Sequence, residues 1–130
     1  MDPQMRRGEV WSVAGGDDYA GKPRPVVIVQ DDLFDGTNSI TVCPFTTEST
    51  DAPLIRLLVE SSESKGLRAS SRLMVDKITT VPKSKIGARF GRLDDEDLLR
   101  LNRAMLVFLG LAETHRVKAK PEQRRQRTRE

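Results

Sequence analysis

The stretch Lys22-Pro23-Arg24-Pro25-Val26-Val27-Ile28-Val29-Gln30 leaves a folding chain few choices. Proline holds φ at about −65° and disfavours helix in the residue before it, so Pro23 and Pro25 keep Arg24 extended. Three valines and an isoleucine follow, all β-branched and too few for an ordinary helix. This predicts a strand buried on both faces. The mouth of that strand carries a guanidinium on a stiff mount, which loses little freedom on meeting an anion.

Further strands are predicted over Arg7 to Val13, Ser39 to Phe45, Ile55 to Val59, Ser71 to Val75, Ile78 to Val81 and Ala88 to Leu93. In the first, Trp11 and Val13 should lie opposite Val10 and Ser12. Pro44 is expected to end its strand or sit at an edge, and Pro82 to stop another. Between the second and third strands, the polar loop with Gly36 obliges Leu33 and Phe34 to find cover. After Leu93 the apolar period changes. Leu98, Leu101, Met105 and Phe108 share one helical face, which Leu99, Leu106 and Leu109 widen. Asp94 suits the N-cap, Asp95, Glu96 and Asp97 suit the first turn, and Gly110 suits the end. Short strands followed by one helix describe a strongly bent antiparallel sheet closed into a partial barrel, with the helix covering one side. Any apolar face left over favours a homodimer.

Charge separates this body from its end. Residues 113–130 hold seven Lys/Arg and three Glu, a net +4, whereas residues 1–112 sum to −1. The division is therefore a domain over 1–112 and a basic, disordered tail over 113–130, with a nonspecific nucleic-acid arm as the sharper reading of that tail. The longest apolar run, Ala104 to Ala112, is about half a membrane span. Met1 to Arg7 lacks the apolar centre of a signal peptide. Cys43 is the sole cysteine and His115 the sole histidine, so a disulfide and a zinc site are both excluded. A cytoplasmic protein without cofactor or membrane partner is expected.

Taken together, Arg7-Gly8-Glu9-Val10-Trp11, Arg24 to Asp32, Thr41 to Thr47, Ser71 to Val81 and Gly91-Arg92-Leu93 resemble the MazF/PemK (Kid-like) toxins of bacterial type II toxin–antitoxin systems. The resemblance spans about Arg6 to Leu111. It implies a mainly β fold, an SH3-like barrel of CcdB/MazF type with a C-terminal α-helix, working as a homodimer. It also implies a metal-independent endoribonuclease that cuts single-stranded RNA and is neutralised by a cognate antitoxin with an acidic, disordered tail. Arg24 falls at the family's catalytic arginine and Thr46 at its catalytic threonine. Asp76 falls where several members carry an acidic residue used in RNA contact or catalysis. Tyr19, Lys22, Thr47, Arg56, Arg68 and Lys77 are expected to bind the RNA, in a groove lined by Arg24, Lys77 and either Arg56 or Arg68. This chain departs from the family in its loop Gly16-Asp17-Asp18-Tyr19-Ala20-Gly21, in Lys77 after the aspartate, and in Met74 two positions before it.

The chemistry suits these residue types. Metal-free cleavage uses the 2′-OH as nucleophile and yields a 2′,3′-cyclic phosphate and a 5′-OH. Arginine forks onto two phosphate oxygens and stays charged, so electrostatic stabilisation is the natural part for Arg24. Thr46 can hydrogen-bond a phosphate oxygen, and Asp76 can orient or deprotonate the 2′-OH. The identity of the base is open at this level. Two other readings remain: a CcdB-like toxin that poisons a protein target such as DNA gyrase, and a noncatalytic RNA-binding barrel.

Overall fold

A computed structural model describes residues 4–14, 23–49 and 51–112. Tyr19, Lys22, the loop around them and the basic tail lie outside the described residues. Seven strands run in chain order: β1 (Glu9–Val13), β2 (Arg24–Ile28), β3 (Ser39–Thr46), β4 (Arg56–Val59), β5 (Ser71–Met74), β6 (Thr79–Pro82) and β7 (Ile86–Arg92). One helix, α1 (Asp95–Phe108), follows. The sheet order is β4-β5-β3-β2-β1-β7, with β6 added on β3, and every pairing is antiparallel.

Strand β2 is buried on both faces, as its composition predicts. Val27 and Val29 join one apolar cluster and Val26 and Ile28 the other. Each such side chain contributes roughly 1.5–3 kcal/mol relative to exposure. The first cluster gathers Val10, Phe45, Leu57, Leu73 and Val75 under Leu101 and Ala104 of α1. The second gathers Met5, Trp11, Ile40 and Val42 on the other face. Trp11 and Val10 thus point to opposite sides of β1, in keeping with a two-residue period.

Pro44 does not end β3. It pairs with Val26 of β2, inside an eight-residue strand. On its other edge β3 pairs with β6 through Val42 and with β5 from Phe45 onward. Pro44 falls in the gap between the two partners, where a missing N–H costs no ladder bond on that edge.

The helix begins as expected. The Asp94 side chain accepts a hydrogen bond from the Asp97 N–H at 2.8 Å. Gly110, at φ 75°, closes the other end. Its N–H reaches the Val107 carbonyl and the Leu111 N–H reaches the Leu106 carbonyl, the paired bonds of a Schellman motif. The apolar face is narrower than its sequence suggests. Leu101 and Ala104 are buried and Leu98 and Met105 are partly packed, but Leu99, Leu106, Phe108 and Leu109 are exposed. The barrel is too small to cover the whole stripe. Leu33 and Phe34 also stay exposed, on a short 3-10 turn (Asp32–Phe34) capped by Asp31.

The connection between β4 and β5 packs back onto β7 and α1. A Cβ on Gly66 would come within 2.3 Å of the Phe90 carbonyl oxygen, so only glycine fits there. The neighbouring Lys65 is buried, which a polar turn did not foretell. Its Nζ lies 2.8 Å from Asp97 Oδ2 and 3.5 Å from Asp94 Oδ2, and donates to the Glu60 carbonyl at 3.2 Å. This lysine clamps the turn to the start of the helix.

Candidate active site

Strand pairing carries Arg24 and Thr46 to the same end of the β2–β3 ladder. In the β2–β3 ladder Ile28 faces Val42, Val27 faces Cys43 and Val26 faces Pro44. The pairing ends there, and Arg24, the first residue of β2, and Thr46, the last of β3, each lie two residues beyond the last pair. Residues opposite one another in a ladder point to the same face. On its other side Thr46 pairs with Arg72 of β5, and Arg72 pairs with Leu58 of β4. One row across three strands therefore reads Thr46, Arg72, Leu58. The next row on that face includes Met74 and Arg56, paired in the β4–β5 ladder. Two residues along a strand separate the rows, about 6.6 Å.

The Thr46 hydroxyl accepts a hydrogen bond from the Glu48 N–H at 3.1 Å. This is the local turn bond that Ser and Thr often make. It orients the oxygen while leaving the hydroxyl proton to donate elsewhere. Thr47 is exposed directly beyond the end of β3, and Arg24 is exposed at the mouth of β2.

Asp76 sits in the 3-10 turn Val75–Lys77 that follows β5. Its carboxylate is held by Arg56 through two parallel bonds, Nε to Oδ1 at 2.9 Å and Nη2 to Oδ2 at 3.1 Å. The side chains are 14% and 21% exposed, so the pair is largely shielded from water. The Arg56 bond lowers the Asp76 pKa below its ordinary 3.8, against the opposing effect of burial, and Lys77 adds to the lowering. The same contact raises the pKa of Arg56. Arg56 was expected to line the RNA groove. Its fork is instead committed to Asp76, because strand pairing places it one residue pair from the turn that carries the carboxylate. Lys77 is exposed beside this pair. Arg68 is exposed in the connection between β4 and β5, outside the row.

The depressed Asp76 pKa has a pH consequence. A carboxylate whose folded pKa lies below its unfolded value contributes stability that is complete above the unfolded pKa and is lost as pH falls through the folded one. Thermal unfolding of the wild type should therefore shift to lower temperature as pH falls below about 4. Asp76→Asn should be less stable at pH 7 and lose less of its melting temperature on acidification. Equal acid sensitivity of the two proteins would show that the pair contributes nothing.

Arg72 and Arg100 had no place in the expected site. Both line a shallow pocket of about 410 Å³ at the β4 edge, with Ser49, Asp51, Pro53, Arg56, Leu57 and Leu58. Arg100 reaches it from α1, donating to the Leu58 carbonyl at 2.9 Å and to Asp97 Oδ1 at 3.1 Å. Sequence spacing alone held no signal for Arg72, since only the register sets it beside Thr46.

Comparison with known proteins agrees with this architecture. The model of the PemK-like, MazF-like toxins of type II toxin–antitoxin systems matches residues 6–109. A Mycolicibacterium smegmatis protein named as a probable endoribonuclease MazF is 55% identical over 108 residues, 83% of this chain and 99% of its own. An endoribonuclease MazF of Staphylococcus saprophyticus is 30% identical over 112 residues, 82% of this chain and 92% of its own. Among solved structures, a MazE–MazF complex from Deinococcus radiodurans superposes with a TM-score of 0.69 at 15% identity, covering 85% of this chain and all of its own. A mycobacterial endoribonuclease in complex with its cognate antitoxin superposes at 0.68 with 23% identity, covering 87% of this chain and all of its own. At such identities the structural matches speak for the fold. The match of the family model over most of the domain, with the M. smegmatis relative beside it, makes this chain a member of the PemK-like, MazF-like toxin family of type II toxin–antitoxin systems.

Proposed function

We propose that this toxin is a metal-independent endoribonuclease that cuts single-stranded RNA, with mRNA in the cytoplasm as its target, and so arrests translation. The observation that supports the reading is the antiparallel β2–β3 pairing, which puts Arg24 and Thr46 at the same end of adjacent strands. A scissile phosphate above that pair would meet a guanidinium fork and a preoriented hydroxyl donor. Attack by the 2′-OH places negative charge on the phosphorane oxygens, and Arg24 and Thr46 stabilise that charge.

Asp76 serves this chemistry as a positioning group. A carboxylate already forked by Arg56, with its pKa depressed, is a weak proton acceptor. It fixes Arg56 and the turn that presents Lys77, leaving the exposed Lys77 to steer the RNA backbone. Tyr19 and Lys22 complete the RNA contacts in this reading, Tyr19 by stacking on a base.

The uncovered side chains of α1, together with Leu33 and Phe34, support a homodimer and an antitoxin that buries apolar anchors. The antitoxin would lay an acidic segment along the same cationic groove and fold as it binds. Incubating the full chain with labelled single-stranded RNA in EDTA tests the function. Discrete cuts ending in 2′,3′-cyclic phosphate and 5′-OH are expected, and the cognate antitoxin should abolish them by competing for RNA. Tight binding without cleavage would overturn the enzymatic reading in favour of a noncatalytic RNA-binding barrel. RNA affinity undiminished by antitoxin would overturn the shared groove.

A further inference from the structure

The geometry points to the pocket at the β4 edge as a subsite for a guanine base beside the scissile phosphate, with Arg72 as its specificity-determining residue. This rests on the RNA-cleaving reading above. Three guanidinium groups line the pocket. Arg56 is committed to Asp76, and Arg100 to Asp97 and the Leu58 carbonyl. The Arg72 side chain makes no hydrogen bond or ion pair among the described residues, and the residue is half-buried. Among the described residues it is the fork of the three that is not committed to a carboxylate.

Placement sets the ligand's position along the RNA. Arg72 pairs with Thr46, so it stands one strand spacing, about 4.8 Å, from the residue proposed to hold the scissile phosphate. A base attached to either nucleotide flanking that phosphate falls within reach. The pocket lining then decides between base and phosphate. Asp51 contributes a carboxylate, and Pro53, Leu57 and Leu58 contribute apolar surface. A phosphate would be repelled by Asp51 and gain nothing from the leucines. A flat base gains from both, through apolar contact on its face and hydrogen bonds at its edges. Among the bases, guanine offers two acceptors, O6 and N7, spaced for a guanidinium fork. Its N1–H and N2–H group offer donors that suit a carboxylate such as Asp51. Adenine presents a donor at N6 where guanine has O6, and would set N–H against N–H.

The test uses the full chain in the slow-cleaving Arg24→Ala background, with binding read before cleavage accumulates, and short uridine-rich RNAs carrying one guanine, one adenine or one 7-deazaguanine. The guanine oligonucleotide should bind about 10- to 100-fold more tightly than the adenine one, with 7-deazaguanine intermediate. Adding Arg72→Met should erase that preference, lowering affinity for the guanine RNA about 10-fold or more beyond any loss for all-uridine RNA. Asp51→Asn should reduce the preference without abolishing it, and circular dichroism should report unchanged folding in both. No guanine preference in the Arg24→Ala protein would overturn the subsite. So would an equal loss for every RNA with a salt slope shallower by about 0.7, which would make Arg72 a phosphate contact. Because the readout is binding, it judges the pocket even if the wild type fails to cut RNA in EDTA, an outcome that would overturn the proposed function instead.

Discussion

Arg24→Ala should fold like the wild type and lose about 10²- to 10³-fold in the rate of RNA cleavage, the usual cost of removing one preorganised charge-stabilising group. The side chain is exposed at the mouth of β2, and the apolar clusters that hold the strand begin at Val26. Its loss should therefore leave the melting temperature within a few degrees of the wild type. Arg24→Lys should recover little of the rate. An ammonium is a compact point charge and cannot span two phosphate oxygens as a planar fork does. Single-turnover cleavage, measured beside RNA affinity, separates binding from chemistry. The expected pattern is a fall in the chemical step larger than the fall in affinity. Near wild-type turnover by the lysine variant would remove the bidentate role from the mechanism.

Lys65→Ala should destabilise the domain by about 2 kcal/mol, since Asp97 Oδ2 loses its cation inside the fold while Arg100 still holds Oδ1. Lys65 and Asp97 are each about 10% exposed at their side chains, and their charged atoms lie 2.8 Å apart. Asp94, 3.5 Å away, is also the N-cap of α1, so one lysine joins the β4–β5 connection to the helix start. The melting temperature should fall by on the order of 10 °C in a domain of this size. A double variant, Lys65→Met with Asp97→Leu, should recover much of the loss because no buried carboxylate is left without its cation, and the partly exposed Arg100 keeps the Leu58 carbonyl. The bond to Asp97 raises the Lys65 pKa above its ordinary 10.5, with Asp94 adding to the rise. For a group raised in the folded state, the contribution is complete below the unfolded pKa and is lost as pH climbs through the folded one. The wild type should thus weaken at strongly alkaline pH, and Lys65→Ala should lack that component. Chemical denaturation costing the alanine variant less than about 1 kcal/mol would reduce the clamp to an ordinary surface pair.

Both predictions start from residues whose legibility in the chain differed, and the difference is physical. Arg24 was legible because proline acts locally: two prolines and a β-branched run dictate extended backbone whatever surrounds them. The start of α1 at Asp94 and its end at Gly110 were legible for the same reason, since caps are satisfied within a few residues. Thr46 was recognisable through the resemblance of its strand to the toxin family. What lay beyond local sequence was pairing. Arg72 looked like one more surface cation until β3 set it against Thr46, and Arg56 looked free for RNA until the turn after β5 brought Asp76 to it. Lys65 read as part of a polar turn, although its partners lie about 30 residues further along the chain. The width of the helix stripe was plain in the sequence, but how much of it is covered depends on the breadth of the sheet beneath. Local backbone preference determined the strands, the helix ends and the mount for Arg24. Strand register and long-range ion pairs, which no short window of sequence contains, decided that Arg56, Lys65 and Arg100 are committed to the fold.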